Sequence, residues 1–164
     1  MGGLLYRAPR QGEREFVSHA ILSLEGGTEF GDLEGGPFEF VLCSGLPGSD
    51  SQIVIATRSD LWPGAELELA LTDEDLPSAR VSGRVLLEGG APWPNAPLAL
   101  SSVGDELMSY VRTTTDEAAR FSIGPLPAGR YALRLGADAL APPVAEFDLA
   151  RGQGLELGEL QSRD

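Results

Sequence analysis

The sequence predicts an all-β protein made of two tandem sandwich units, the first of them shortened. Three observations carry that reading. Of 164 residues 42% are apolar, enough for a packed core, yet the apolar runs are short and none sustains a helical period. Gly (21) and Pro (12) are abundant and fall between those runs, so the chain turns often. Several runs alternate apolar and polar residues, the spacing of a strand with one buried face.

From Ala79 the elements follow in order. ARVSGRVLL alternates, and EGGAPWPN turns it. APLALSS is a second strand, broken by GDEL. MSYVRTTT is a third, rich in the β-branched and aromatic residues that suit a pleated surface. TDEA turns into RFSI, where Phe121 and Ile123 share a face and the acidic turn costs little in solvent. GPLPAG reads as a corner, with Pro127 fixing φ and Gly129 permitting a positive φ. RYALRL returns with Tyr131, Leu133 and Leu135 on one side and Ala132 and Arg134 on the other. VAEFDL and GLELGEL complete seven short strands, the pattern of a β-sandwich.

The amino-terminal half reads as a shortened repeat of the same unit. VSHAILSLEGG at 17–27 parallels VSGRVLLEGG at 81–90, and PFEFVLCSGLPG at 37–48 parallels RFSIGPLPAG at 120–129. QIVIATR and ELELALT then parallel RYALRL and VAEFDL. The spacer from Gly27 to Phe38 is far shorter than that from Gly90 to Phe121, so two strands are missing. The division that follows is an extension at 1–13, a shortened unit at 14–78 and a full sandwich at 79–164. A sheet short of strands leaves an edge and an apolar face open. Such a unit is expected either to dock on the second sandwich by sharing ARVSGRV or to pair with another chain.

Within 79–160 the elements SGRV, a GG-x-P turn, TDE-x-x-x-F and LPAG-x-Y occur together and in order. This half of the chain resembles the carboxypeptidase regulatory-like domain, a transthyretin-like relative of the immunoglobulin-like sandwiches. One departure is Ala119, where the family usually has Gly before the aromatic strand. The resemblance implies a non-catalytic accessory or adhesive module, often tandem, in an extracellular or cell-envelope setting.

The net charge is −13, which repels phosphate backbones and anionic membranes and argues against nucleic acid as a partner. All 12 cations are Arg. With no Lys, the Lys–Asn or Lys–Asp isopeptide crosslink of related surface domains has no reactant. No run approaches the ~18 apolar residues of a membrane span, and the start MGGLLYRAPRQGERE holds no signal-peptide core. No membrane insertion is expected.

Candidate chemistry is sparse. The one histidine, His19, cannot form a His cluster within one chain, and it is expected on the polar face of a strand. The one cysteine, Cys43, has no partner for an intrachain disulfide and sits in the apolar FEFVLC, where a small buried hydrophobe fits. Asp73, Glu74 and Asp75 lie at the junction of the proposed repeats and are the calcium candidates, beside the pairs Asp105–Glu106 and Asp116–Glu117. Trp62 in DLWPGAE and Trp93 in APWPNAP sit in Pro-flanked loops, where an indole either stacks on a sugar ring or caps a core. GGTEFGDLEGG at 26–36 is Gly-rich but carries three acids, so it reads as a hairpin loop rather than a phosphate cradle. No nucleophile, P-loop or zinc motif is present, and no catalytic residue, metal site or cofactor is expected. The leading expectation is a non-enzymatic structural or protein-interaction module that self-associates through strand edges of its first unit. The alternative is a carbohydrate- or calcium-dependent adhesion module.

Overall fold

The computed structural model describes residues 2–10, 13–21, 29–45, 49–104, 109–136 and 141–162. Among them there is no helix, and so none long and apolar enough to cross a membrane. The strands are β1 (Gly2–Arg10), β2 (Glu13–Ile21), β3 (Phe38–Ser44), β4 (Ser51–Leu61), β5 (Ala79–Leu86), β6 (Pro97–Ser102), β7 (Tyr110–Thr114), β8 (Arg120–Leu126), β9 (Gly129–Leu135), β10 (Ala145–Leu149) and β11 (Gly154–Gln161). The chain divides into two compact units: Met1–Ser49 with Val54–Leu76, and Asp50–Ile53 with Pro77–Asp164.

The second unit is a sandwich, and each strand expected after Ala79 is present in it. One sheet contributes the antiparallel run β10-β9-β6-β7, continued past β7 by the first residues of β4; the other runs β11-β5-β8, with β11 parallel to β5. Alternation places Val81 and Val85 of β5, Leu98 and Leu100 of β6, Phe121 and Ile123 of β8, and Tyr131 and Leu133 of β9 in one core. Each such side chain, fully buried, contributes about 1.5–3 kcal/mol relative to exposure. Gly83 of the SGRV run faces inward because nothing larger fits: a Cβ there would stand 2.9 Å from the Phe121 ring and 3.0 Å from the Gly158 carbonyl.

The turn at Thr115–Ala119 holds together two ends of this core. Thr115 is buried; its hydroxyl accepts from the Ala96 N–H at 2.9 Å and donates to the Trp93 carbonyl at 2.8 Å. The Asp116 carboxylate accepts from the N–H groups of Ala118 and Arg120 at 2.9 and 2.8 Å, closing the turn before β8. Ala119 then takes φ 60°, fully buried, with its N–H on the Asp116 carbonyl and its own carbonyl accepting from Val85. The missing glycine therefore has a cost. Left-handed backbone costs an L-residue roughly 1–2 kcal/mol, and the buried methyl returns about 0.8. Ala119→Gly is expected to raise stability by up to about 1 kcal/mol, and Ala119→Val to lower it, both read as urea midpoints.

The corner is tighter than GPLPAG suggests. β8 continues through Gly124 and Pro125 to the buried Leu126, and only Pro127 and Ala128 lie between β8 and β9. Gly129 has φ 157°, the positive φ expected of this corner and one that L side chains rarely adopt, with only ordinary contacts for a Cβ. Gly124, at φ 156°, is more demanding still, since a Cβ there would stand 2.8 Å from the Ala79 carbonyl. Tyr131 closes the corner from below, its hydroxyl donating to the Pro127 carbonyl at 2.9 Å.

The first unit departs from the sequence reading in three ways. Residues 1–13, expected as an extension, contain β1, which lies between β2 and β3 in the order β4-β3-β1-β2. Its register runs from Gly2↔Ile21 on one side and Gly2↔Cys43 on the other. Adjacent Leu4 and Leu5 are both buried, because the first residues of β1, flanked by a strand on each edge, are covered on both faces, while Arg7 further along is exposed. β1 also separates the segments matched to β5 and β8, which pair directly in the second unit; the pairing does not reproduce the proposed repeat. Finally, ELELALT is not a strand. After a turn in which the Ala65 N–H bonds the Trp62 carbonyl, it runs as irregular chain with Leu69 and Leu71 against the core of Leu5, Phe38, Phe40 and Leu42. Apolar alternation buried one side of it without a ladder.

Nor is ARVSGRV shared. Both edges of β5 are taken, by β8 and β11. The first residues of β4 instead join the second unit: Ser51 and Gln52 pair with Val111 and Tyr110, and Ile53 enters its core. The expected boundary at 78/79 is thus crossed by a segment from earlier in the chain.

Candidate functional site

The two tryptophans occupy different environments. Trp93 is half-buried against the sandwich core, with its N–H on the Val85 carbonyl and its carbonyl held by Thr115. Trp62 is 60% exposed. Its six-membered ring lies over Gly36, where a Cβ would come within 3.0 Å, so the glycine leaves room for the indole to lie flat. Backbone angles here are unusual: Gly36 beneath the ring, Gly35 before it, and Asp60 and Gly64 on either side of Trp62 in sequence all have positive φ. The rest of the indole is left open to solvent.

Asp73, Glu74 and Asp75 are exposed. The Asp75 carboxylate accepts from both the N–H and the hydroxyl of Thr72, each at 2.8 Å, which makes it a turn cap. Among the described residues no three His, Cys, Asp or Glu side chains converge on a point that would hold a metal ion. Asp116 serves its own turn, and Glu117 beside it is exposed. Asp105 and Glu106 lie outside the described residues, as do positions 26–28 of the Gly-rich loop.

Cys43 is buried at the end of β3, its thiol directed at the carbonyls of Gly2 and Gly45 at 3.5 and 3.4 Å. Burial pushes its ionisation above the ordinary value of 9.0, against a smaller opposing pull from the chain's terminal ammonium. The thiol stays protonated and is a poor nucleophile. Its contribution to stability is fully present below the unfolded thiol's pKa and is lost as pH rises through the folded one. The urea midpoint of the first unit is expected to fall between pH 8 and pH 10 in the native chain, and that component to vanish in Cys43→Ala.

Sequence reasoning missed the aromatic group on β2. Phe16 is 48% exposed. Its ring meets Tyr6 edge-on at 5.8 Å and stacks on exposed His19 at 6.2 Å. A register shift at Val17, between the pairs Leu5↔Ser18 and Tyr6↔Phe16, explains why residues three apart share a face. Among the described strands β2 ends its sheet, and from Phe16 to Ile21 it has neither charge nor proline. That gap was visible in the sequence, but its position at an edge was not.

The sequence model of the carboxypeptidase regulatory-like domain matches residues 80–161, half of the chain. The chain belongs to the carboxypeptidase regulatory-like domain family. The matched segment runs from β5 through β11, so the family domain coincides with the sandwich apart from the β4 residues that join it. No curated protein matches the chain. Among solved structures, the Bacillus anthracis TIE protein is similar at 14% identity and a TM-score of 0.41, over 98% of this chain and 34% of its own. A streptococcal ancillary pilin is similar at 14% identity and 0.39, over 76% and 45%. A 9R-lipoxygenase from Cyanothece PCC8801 is similar at 18% identity and 0.39, over 60% and 18%. The chain spans less than half the length of each.

Proposed function

We propose that this carboxypeptidase regulatory-like chain is a non-enzymatic structural and protein-interaction module of an exported or cell-surface assembly, and that it self-associates through β2. The observation that carries this reading is the edge: β2 ends its sheet, its stretch Phe16–Ile21 lacks the charges and prolines that normally blunt an edge, and Phe16 stands exposed on it. The bulge at Val17 interrupts the ladder, but Ser18–Ile21 beyond it keeps an unbroken register with β1. Strand addition there supplies backbone hydrogen bonds for affinity and the Phe16 ring for specificity. The residues present also favour a non-catalytic role, since the one thiol is buried and protonated and the one imidazole is exposed on a strand. The test is solution mass by light scattering against concentration. The wild-type chain is expected above monomer mass, and Phe16→Lys with His19→Lys at monomer mass with an unchanged fold. A monomeric wild type, or a variant that still associates, would sink the reading.

A second reading, carbohydrate adhesion, rests on Trp62. Its open indole face suits the apolar side of a pyranose. On this reading Trp62→Ala abolishes glycan binding and leaves the melting temperature unchanged, since the ring is mostly exposed. A glycan array with no wild-type hits removes it.

A further inference from the structure

The outward face of the β11-β5-β8 sheet concentrates positive charge on a strongly negative chain. Arg80 and Arg84 of β5 and Arg120 of β8 alternate with the core residues Val81, Val85 and Phe121, so all three belong to the outer face. Arg84 and Arg120 are direct cross-strand partners. Like charges in that position are destabilising. The face neutralises them only in part. Arg84 reaches Glu159 at 3.7 Å, while its Nε is buried with no acceptor. Arg80 donates to the Ser122 hydroxyl at 3.4 Å, and the second acid of the face, Glu156, accepts from Ser82 at 2.6 Å. The Arg120 guanidinium has no carboxylate partner among the described residues. Three guanidinium groups thus stand against two carboxylates, in a chain whose net charge is −13.

We infer that this face docks an acidic peptide segment of a protein partner. A guanidinium fork takes a carboxylate through two parallel hydrogen bonds, and cross-strand pairing roots two such side chains with their Cβ atoms about 5 Å apart. Arg80, four residues along β5 from Arg84, sets a third roughly 13 Å away. That spacing fits an extended segment with acids at alternate positions, and β8 ends its sheet, so such a segment has a strand edge to lie beside. Long polyanions are disfavoured because the rest of the chain repels them, whereas a short carboxylate run meets only the local field. The inference rests on the chain being an interaction module, and it names the chemistry of one partner; it does not require β2.

The probe is a fluorescent synthetic peptide of alternating Glu and Ser, with anisotropy read on the full chain. Binding is expected, weakening as NaCl rises from about 50 to about 300 mM, and about tenfold or more in Arg80→Glu with Arg120→Glu. Arg130→Glu, on the other sheet, leaves it unchanged. Arg120→Glu alone is expected to raise Tm, because it turns a like-charge pair into an opposite one, while weakening peptide binding; a purely structural arginine gives a lower Tm. No wild-type binding, equal binding by the double variant, equal binding of a single-stranded oligonucleotide of matched charge, or full competition by millimolar citrate would each overturn the inference. Solution mass measured on the same samples separates the two ideas. Self-association that persists without peptide binding defeats only this one, and peptide binding by a strictly monomeric chain defeats only the role of β2.

Discussion

Tyr131→Ala is expected to destabilise the sandwich by about 3–5 kcal/mol, a large part of the 5–15 kcal/mol typical of a whole domain. Tyr131 is among the largest fully buried side chains. Its ring stacks on Phe147 of β10 at 6.3 Å, and its backbone pairs with Ser102 on one side and Phe147 on the other. Removing the ring opens a cavity between the two sheets and frees the Pro127 carbonyl at the corner. Tyr131→Phe separates these effects: it keeps the packing and loses one hydrogen bond, at a cost of about 0.5–1.5 kcal/mol. Urea midpoints of the two variants measure the difference. An alanine variant within about 1 kcal/mol of wild type would show that the core does not close around this ring.

Deletion of residues 1–12 is expected to abolish the tertiary structure of the first unit. β1 is the strand between β2 and β3, and it supplies Leu4 and Leu5 to opposite faces of their sheet. Without it β2 has no ladder partner among the described strands, and β3 loses the register from Gly2↔Cys43 to Arg7↔Phe38. Unpaired, buried backbone groups cost about as much as lost hydrogen bonds, one after another along the strand. Amide hydrogen exchange reads the result segment by segment. Protection is expected to vanish at 13–21 and 38–44 and to persist across β5, β8 and β9. Retained protection in β3 would mean that β1 is dispensable, as an extension would be.

The fold class and the whole strand succession of the second unit are legible in local patterns of the sequence. Period-two alternation in ARVSGRV, RFSI and RYALRL states which residues face inward, and the Gly and Pro between them state where the chain turns. Those are local signals, and residues 80–161 carry enough of them to name the family. Which strand lies beside which is set instead by contacts between segments distant in the chain. GGLLYRAPR has Leu4, Leu5 and Tyr6 in a row and no alternation, because its first residues are buried on both faces and have no solvent side to alternate with. ELELALT alternates well and still forms no ladder, because burial of Leu69 and Leu71 needs only an apolar neighbour, whereas a strand needs a free edge at the right distance. The candidate surfaces follow the same division. Trp62 stands out in the sequence as an aromatic in a Pro-Gly loop, and the structure adds that it is exposed. Phe16 on the edge strand β2 and the Arg84–Arg120 pair across β5 and β8 depend on register between segments distant in sequence, and register is set by the packing of the whole sheet.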